Sequence, residues 1–208
     1  RSIIRSCVRA VYSEVNDLFE KGKNSAFAEK YSRALPTLRL MHRLYLTLAE
    51  KSRARGALDL EQTEAEILLD ERGNPVEIVP RVRGDAEKLI EQFMLAANEA
   101  VATLLSEKHL PCVFRVHDAP DPERLADFIR FAHNLDLDVT PLAGRDPDGR
   151  AFSVLLRDAH ERGIGDAVSY TLLRTMAKAH YSEICHPHFG LGIEKYCHFT
   201  SPIRRLSD

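Results

Sequence analysis

A long amphipathic segment from Asp85 to Glu107 constrains the fold more than any other feature of this sequence. Its apolar residues recur with helical spacing, so one side of the helix is expected to be buried. The residues predicted on that side are Ile90, Phe93, Met94, Ala97, Val101 and Leu104. The segments AEILLD and PVEIV, which precede this helix, predict a hairpin turning at Glu71 to Asn74, and VFRVH, which follows it, alternates like a strand. This arrangement predicts a helix-rich α+β fold with a small mixed or antiparallel sheet.

Caps and turn residues predict the remaining elements. A short helix capped by Ser13 carries Val15, Leu18 and Phe19 on one face and ends near Gly22. A second helix, from Leu38 to about Arg55, places Leu38, Met41, Tyr45 and Leu48 on one stripe. Asp121-Pro122-Glu123 has the composition of a helix start. The other two predictions are a loop from Gly144 to Gly149 and a final helix from Gly165 to about Ser182.

Composition excludes several classes of protein. The chain has 208 residues, a net charge of −2 and 29% charged residues, with no Trp, which is typical of neither a disordered chain nor a membrane protein. Cys7, Cys112, Cys185 and Cys197 are scattered singly, as reduced cytosolic thiols are. No Ser/Gly/Pro linker divides the chain, so a single unit is expected. The absence of a starting Met and the end at Asp208 suggest a piece of a longer protein.

The C-terminal stretch KYCHFTSPIRRLSD predicts an anion site. Tyr196, His198 and Thr200 would share one face of a short strand, with Cys197 and Phe199 on the other face. Ser201 or Thr200 would then cap a helix that has Pro202 at its first position and Arg204 in its first turn. A cation is unfavourable at this end of the helix dipole, so a pair of arginines there indicates a bound phosphate or carboxylate. The alternative is that both arginines pair with carboxylates such as Asp208 or Glu194.

Five segments of the chain resemble one enzyme family. They are SIIRSCVRAVYSEVN, RARGALDL, AEKLIEQFMLAANEAVA, FRVHDAPDPERLADF and the terminal AHYSEICHPHFGLGIEKYCHFTSPIRRLSD. In order and spacing these are similar to the catalytic (RNB) domain of the ribonuclease II and ribonuclease R family, and they are closer to the ribonuclease R branch. Residues 1–208 resemble the C-terminal portion of that domain.

The resemblance implies a processive 3′-to-5′ exoribonuclease that hydrolyses single-stranded RNA to nucleoside 5′-monophosphates by a two-metal mechanism with magnesium. Arg204 and Glu91 match the family's catalytic arginine and a glutamate near the 3′-terminal nucleotide. Tyr12 matches a tyrosine that packs against the terminal nucleotide and governs how far digestion runs. Further RNA contacts are expected from Thr200, Ser201 and Arg205. A cytoplasmic monomer is the implied form.

Periodicity alone favours plainer roles for two of these residues. Tyr12 has the spacing of a core residue relative to Val15 and Phe19, and Glu91 shares a polar stripe with Asn98 that is typical of a solvated helix face. The chain also departs from the family pattern at two places. Gln92 replaces a second glutamate, and Leu206-Ser207 replaces Tyr-Pro after the two arginines.

The expected metal ligands are absent from this sequence. The family's clustered aspartates, and its cold-shock-like and S1-type RNA-binding domains, match nothing in residues 1–208, and the chain alone is expected to bind no catalytic magnesium and to be inactive. Asp118, Asp121, Asp146 and Asp148 lack the required close spacing. One alternative is a noncatalytic RNA-binding member of the family. Another is a zinc module, whose ligands would be Cys185, His186, His188, Cys197 and His198.

Overall fold

The computed structural model of the chain describes residues 3, 5–58, 60, 64–81, 83–144 and 147–200. Helices and two-stranded antiparallel sheets make up this part of the chain, which confirms the predicted α+β class. The helices are α1 (Tyr12–Lys21), α2 (Leu35–Ala54), α3 (Asp85–Glu107), α4 (Pro122–His133), α5 (Gly149–Glu161) and α6 (Gly165–Thr175). The strands are β1 (Glu64–Leu69), β2 (Pro75–Arg81), β3 (Phe114–Val116) and β4 (His180–Ser182). None of the described helices is long and apolar enough to cross a membrane.

Where the sequence predicts a single unit, the contacts divide the chain into two compact units that share segments of sequence. The first contains residues 1–50 and 82–95, and the second contains residues 51–81 and 96–208. Two of the three boundaries fall inside α2 and α3, and the third falls between residues 81 and 82, where β2 ends. Linker composition does not reveal boundaries that fall inside helices.

The first unit is built around α1 and the opening turns of α2 and α3. Its core consists of Val15, Leu18, Tyr31 and Ala86. The Asn16 side chain accepts a hydrogen bond from the Ala86 backbone N–H (2.8 Å) and donates one to Glu87 Oε2 (2.8 Å). Asn16 therefore satisfies backbone and side-chain groups at the start of α3, which α3 cannot satisfy internally.

The second unit has a larger helical core. Helices α4, α5 and α6 bury a cluster that includes Phe128, Phe152, Leu155, Val168 and Leu172. β3 pairs with β4, and Phe114 of β3 also forms an isolated antiparallel bridge with Cys197. The hairpin β1–β2 has the predicted turn, in which the Asp70 carboxylate accepts hydrogen bonds from the backbone N–H groups of Arg72 (2.8 Å) and Asn74 (2.9 Å).

Several predicted boundaries are confirmed. α3 spans the predicted range, α2 ends one residue before Arg55, and α1 ends at Lys21, directly before Gly22. α4 begins with the Asp121 carboxylate accepting from the N–H groups of Glu123 and Arg124.

The predicted start of α1 and end of the last helix are wrong. α1 begins at Tyr12 with Val11 at the N-cap, so Ser13 lies inside the helix. α6 ends at Thr175, where Met176 turns to an extended conformation (ψ 148°), and residues 180–182 pair with β3 instead of continuing the helix. α5 was not predicted; it begins after Asp148, whose carboxylate accepts from the N–H groups of Arg150 and Ala151.

The predicted buried side of α3 is wrong at two of its six positions, and the other four are half-buried. Ile90 and Leu104 are exposed, and the buried positions are Ala86, Leu89, Asn98 and Ala102. The buried stripe is therefore rotated from the one that apolar periodicity selects, and it includes a polar residue.

Candidate functional site

An apolar cavity of about 280 Å³ lies within the first unit. α1 and the opening turns of α2 and α3 line it, and Tyr12 lies on its wall with nearly half of its surface exposed. The lining residues are Ala10, Val11, Tyr12, Val15, Phe19, Leu38, Met41, Ala86, Leu89 and Ile90. An accessible apolar cavity with one aromatic phenol is suited to a flat ring such as a nucleobase.

Tyr12 lies in the first turn of α1, and the buried side chain of Tyr31 holds the start of this turn through a hydrogen bond. Tyr31 is fully buried, its hydroxyl donates to Glu14 Oε2 (2.5 Å), and the Val11 backbone N–H donates to the Tyr31 hydroxyl (3.1 Å). Burial, followed by the hydrogen bond to Glu14, raises the pKa of Tyr31, so the hydroxyl remains a donor at neutral pH. Tyr12 is thus a partly exposed ring beside a fixed backbone, and the plainer prediction of a core tyrosine is wrong.

Glu91 lies on the exposed side of α3, one residue after the cavity-lining Ile90. Its carboxylate forms an ion pair with the guanidinium of Arg83. Tyr12 and the helix position next to Glu91 therefore border the same cavity. Glu91 itself is not among the residues that line the cavity, and its contact with a nucleotide stays a prediction.

The segment from Tyr196 to Thr200 is held on α3 in the second unit by Asn98. The side-chain Nδ2 of Asn98 donates to the Tyr196 hydroxyl (3.1 Å), and the side-chain Oδ1 of Asn98 accepts from the Thr200 backbone N–H (2.9 Å). The Tyr196 carbonyl accepts from the Arg115 N–H (2.8 Å), and Cys197 bridges to Phe114. In place of the predicted strand, this segment has one bridge at Cys197 and a turn at 199–200.

The predicted alternation within this segment is partly retained. The rings of Tyr196 and His198 lie 5.7 Å apart, while Phe199 is half exposed and Cys197 is buried. The Thr200 hydroxyl oxygen is buried and has no hydrogen-bond partner in the described part of the chain. Its contact with RNA stays a prediction.

A row of rings supports the same segment. Tyr196 lies between His188 (5.5 Å) and His198 (5.7 Å), and His188 in turn lies 5.0 Å from His117. Burial, together with the charges of His117, Arg115 and His198, lowers the pKa of His188 to about 4. Burial likewise lowers the pKa of His117, whose ring nitrogens face the Ala177 carbonyl (2.9 Å) and the Gly190 N–H (2.9 Å). Both histidines are therefore uncharged at neutral pH, and their rings pack within this row.

Ser201, Arg204 and Arg205 lie outside the described residues, as does Asp146. Within the described ranges, no group of three or more His, Cys, Asp or Glu side chains is placed to hold a metal ion. The five proposed zinc ligands are all described, and they form no such group.

A family comparison covers the entire chain. The RNB domain matches residues 1–208. The chain belongs to the RNB domain family. This confirms the resemblance that HFTSPIRR and the segments before it indicate.

Relatives of this RNB chain point to one branch of the family. It is 37% identical to Ribonuclease R 1 of Lactococcus lactis over 208 residues, which cover 100% of this chain and 25% of that protein. It is also 37% identical to Ribonuclease R of Aquifex aeolicus over 207 residues, which cover 29% of that protein. The RNB chain thus spans roughly a quarter to a third of the length of these relatives.

The fold agrees with a solved RNB enzyme. Mycoplasma genitalium RNase R, in complex with ribose-methylated single-stranded RNA, superposes with a TM-score of 0.83 at 30% identity. The match covers 95% of this chain and 30% of that protein.

Asn98 is the residue that sequence reasoning missed. The resemblance placed AEKLIEQFMLAANEAVA in the family, but periodicity assigned Asn98 to a solvated stripe with Glu91. In the structure Glu91 is exposed, whereas Asn98 is only 2% exposed. The sequence held no local signal for this burial, because an amide seven residues after Glu91 fits a solvated stripe of an amphipathic helix.

Proposed function

We propose that the protein containing this chain is a processive 3′-to-5′ exoribonuclease that hydrolyses single-stranded RNA to nucleoside 5′-monophosphates. The observation that carries this proposal is the match of 95% of the chain to an RNase R whose structure contains single-stranded RNA. The partly exposed ring of Tyr12 on an apolar cavity supports it, because stacking on an aromatic ring binds bases without reading their sequence.

Charge distribution also supports an RNA partner. The sequence segments of the first unit contain eleven basic and eight acidic residues, although the whole chain has a net charge of −2. A basic excess in the unit that contains the Tyr12 cavity favours binding of a phosphate backbone. The overall acidity therefore does not oppose RNA binding at this unit.

The proposed chemistry assigns a role to Arg204. Attack on the terminal phosphate increases negative charge on its nonbridging oxygens, and a fixed guanidinium stabilises that charge. Arg205 would hold the neighbouring phosphate. Glu91 would contact the 3′-terminal nucleotide, and Tyr12 would pack against its base.

Magnesium would supply charge neutralisation and an activated water in such an enzyme. The described residues do not fit a magnesium site, because no cluster of three candidate ligands exists among them. We therefore propose that the metal ligands belong to other parts of the protein and that this chain alone is inactive. Incubating the isolated chain with RNA and magnesium should release no monophosphate; release at a rate comparable with the full-length protein would refute this.

The test of the function uses the full-length protein and a 5′-labelled single-stranded RNA. Shortening from the 3′ end with release of monophosphates is expected, and Arg204→Ala should lower kcat by about 10²-fold or more. Arg157→Ala, on the exposed face of α5, is the matched control and should leave kcat unchanged. RNA binding without shortening in the wild type would instead identify a noncatalytic RNA-binding member of the family.

We also propose that this protein is a cytoplasmic monomer. The four cysteines of this chain are free, which suits a reducing compartment. Light scattering of the full-length protein should give the mass of one chain.

A further inference from the structure

The β1–β2 hairpin has one side that consists of apolar residues. Ile67 of β1 pairs with Ile78 of β2, Ala65 pairs with Pro80, and strand alternation places Val76 on the same side. We call these five residues the hairpin face. All five are exposed in the part of the chain that the structure describes, Ile67 to 56%, Val76 to 68% and Ile78 to 70%. Single exposed aliphatic residues are ordinary, but a contiguous group of them typically contacts another surface.

The opposite side of the hairpin differs in both composition and exposure. Leu68 and Glu77 pair on that side, and alternation places Val79 beside them. Val79 is half-buried, and Leu68 is less exposed (40%) than Ile67 or Ile78. An antiparallel sheet with one polar side usually packs its apolar side on a core. A two-stranded hairpin is also marginally stable by itself in water, so the hairpin face is expected to be covered in the complete protein.

The charge of the hairpin makes RNA an unsuitable occupant of this face. Residues 64–81 contain five acidic and only two basic residues, so the hairpin repels a phosphate backbone. The hairpin face also has no aromatic ring on which a base can stack. Aliphatic side chains of another protein surface are the chemistry that fits it.

The remainder of the protein is the most available source of such a surface. In the ribonuclease R relatives of Lactococcus lactis and Aquifex aeolicus, the matched region makes up 25% and 29% of the protein, so more than two thirds of each lies outside it. A surface in the same polypeptide acts at a high effective concentration, whereas a second copy of the chain must be recruited from solution.

We propose that the hairpin face docks against an aliphatic surface in another part of the full-length protein, while Glu77 on the opposite side stays accessible. This interface fixes residues 64–81 to a part of the protein that lies outside residues 1–208. The inference rests on the proposal that other parts of the protein complete this chain. It does not depend on the proposed exoribonuclease activity.

The test is maleimide labelling of the native full-length protein. Ile78→Cys and the matched control Glu77→Cys place a thiol at adjacent positions of β2, on opposite sides of the hairpin. Mass spectrometry of the digested protein measures labelling at each position separately from the native cysteines. Ile78→Cys should react at least about 100-fold more slowly than Glu77→Cys, because the reagent reaches it only when the interface opens. Equal rates at the two positions, whether fast or slow, would overturn the inference.

Two further conditions distinguish the other occupants. Protection of Ile78→Cys should be the same after tenfold dilution and in the absence of RNA. Loss of protection on dilution would identify a second copy of the chain, and protection that requires added single-stranded RNA would identify RNA. Either result would overturn docking within one polypeptide.

Hydroxyl-radical footprinting tests the same interface in the wild type, so it applies even if a variant fails to fold. In the native full-length protein, Ile67 and Ile78 should be oxidised at least about tenfold more slowly than in the peptides of its digest. Equal oxidation in the protein and in its peptides would contradict a covered face.

Failure of the proposed function has a different signature. A full-length protein that protects the hairpin face but shortens no RNA would overturn the exoribonuclease proposal and retain the interface. An active protein with an unprotected hairpin face would overturn the interface alone.

Discussion

The lowered pKa of His188 should make the fold less stable as the pH falls below about 6.5, because the unfolded chain takes up a proton at this ring before the native chain does. Its ring is partly buried between His117 and Tyr196, its Nδ1 has no hydrogen-bond partner in the described part of the chain, and its backbone N–H donates to the Ile193 carbonyl (2.7 Å). The positive charges of Arg115 and of protonated His117 or His198 oppose a further cation here. These contacts lower the pKa of His188 from its ordinary value of 6.5 to about 4.

The magnitude follows from proton linkage. Between pH 6.5 and about 4 the unfolded chain binds a proton at this ring and the native chain does not, so the free energy of unfolding falls as the pH is lowered. The slope is about 1.4 kcal/mol per pH unit. From pH 7 to pH 5 His188 should therefore cost about 2 kcal/mol of stability. The lowered pKa of His117 acts in the same direction and adds to this loss.

The assay is urea unfolding of the chain at pH 7 and pH 5, for the wild type and for His188→Phe. Phenylalanine keeps a flat ring between His117 and Tyr196 but cannot be protonated. The stability lost between the two pH values should be smaller in the variant by about 2 kcal/mol, and the remaining loss should reflect His117. Equal losses in the two proteins would refute the assignment of a depressed pKa to His188.

Three further predictions concern the close contacts and the Tyr12 cavity. Gly149→Ala should destabilise the chain by about 1–3 kcal/mol, although Gly149 lies in a helix, because the added Cβ would lie 1.8 Å from the Gly56 carbonyl oxygen. The control is Gly144→Ala, whose added Cβ meets nothing within 4 Å. The control should have the stability of the wild type in the same unfolding assay. In the full-length protein, Tyr12→Ala should weaken RNA binding and change the length of the final digestion product. Tyr12→Phe keeps the ring and should have the RNA affinity and the final product of the wild type. A gel that shows the same final product for Tyr12→Ala and the wild type would refute a stacking role. Glu91→Gln should lower kcat. It should shift the unfolding midpoint little, because the ion pair of Glu91 with Arg83 is on the surface. Equal kcat values for the variant and the wild type would refute a role of Glu91 near the terminal nucleotide.

Elements with local signals were predictable from the sequence. The Asp121 carboxylate caps α4 through N–H groups two and three residues away, and the Asp70 carboxylate organises the hairpin turn in the same way. Such interactions depend on adjacent residues alone, so composition reveals them. The full length of α3 was predictable for a similar reason, since its start and its periodicity are both local.

Elements decided by distant contacts were not predictable. Residues 177–182 follow α6 without a strong helix breaker, yet pairing of residues 180–182 with β3 overrides helix propensity. At the start of α1, the Tyr31 hydroxyl binds the Val11 N–H from 20 residues away, whereas Ser13 offered only a local cap. The strand predicted at KYCHFT failed likewise, because β3 pairs mainly with β4 and leaves one bridge to Cys197.

The same reasoning explains why the sequence singled out Arg204 but not the burial of Asn98. Arg204 stands out in the sequence because two arginines beside a predicted helix start conflict with the dipole of that helix, which is a local anomaly. Asn98 conflicts with nothing near it, since an amide two helical turns from Glu91 fits an ordinary solvated stripe. Its burial depends on a segment about a hundred residues later folding back onto α3. A residue that acts on its neighbours can be found from a motif, whereas a buried polar residue such as Asn98 becomes identifiable when its distant hydrogen-bond partners are known.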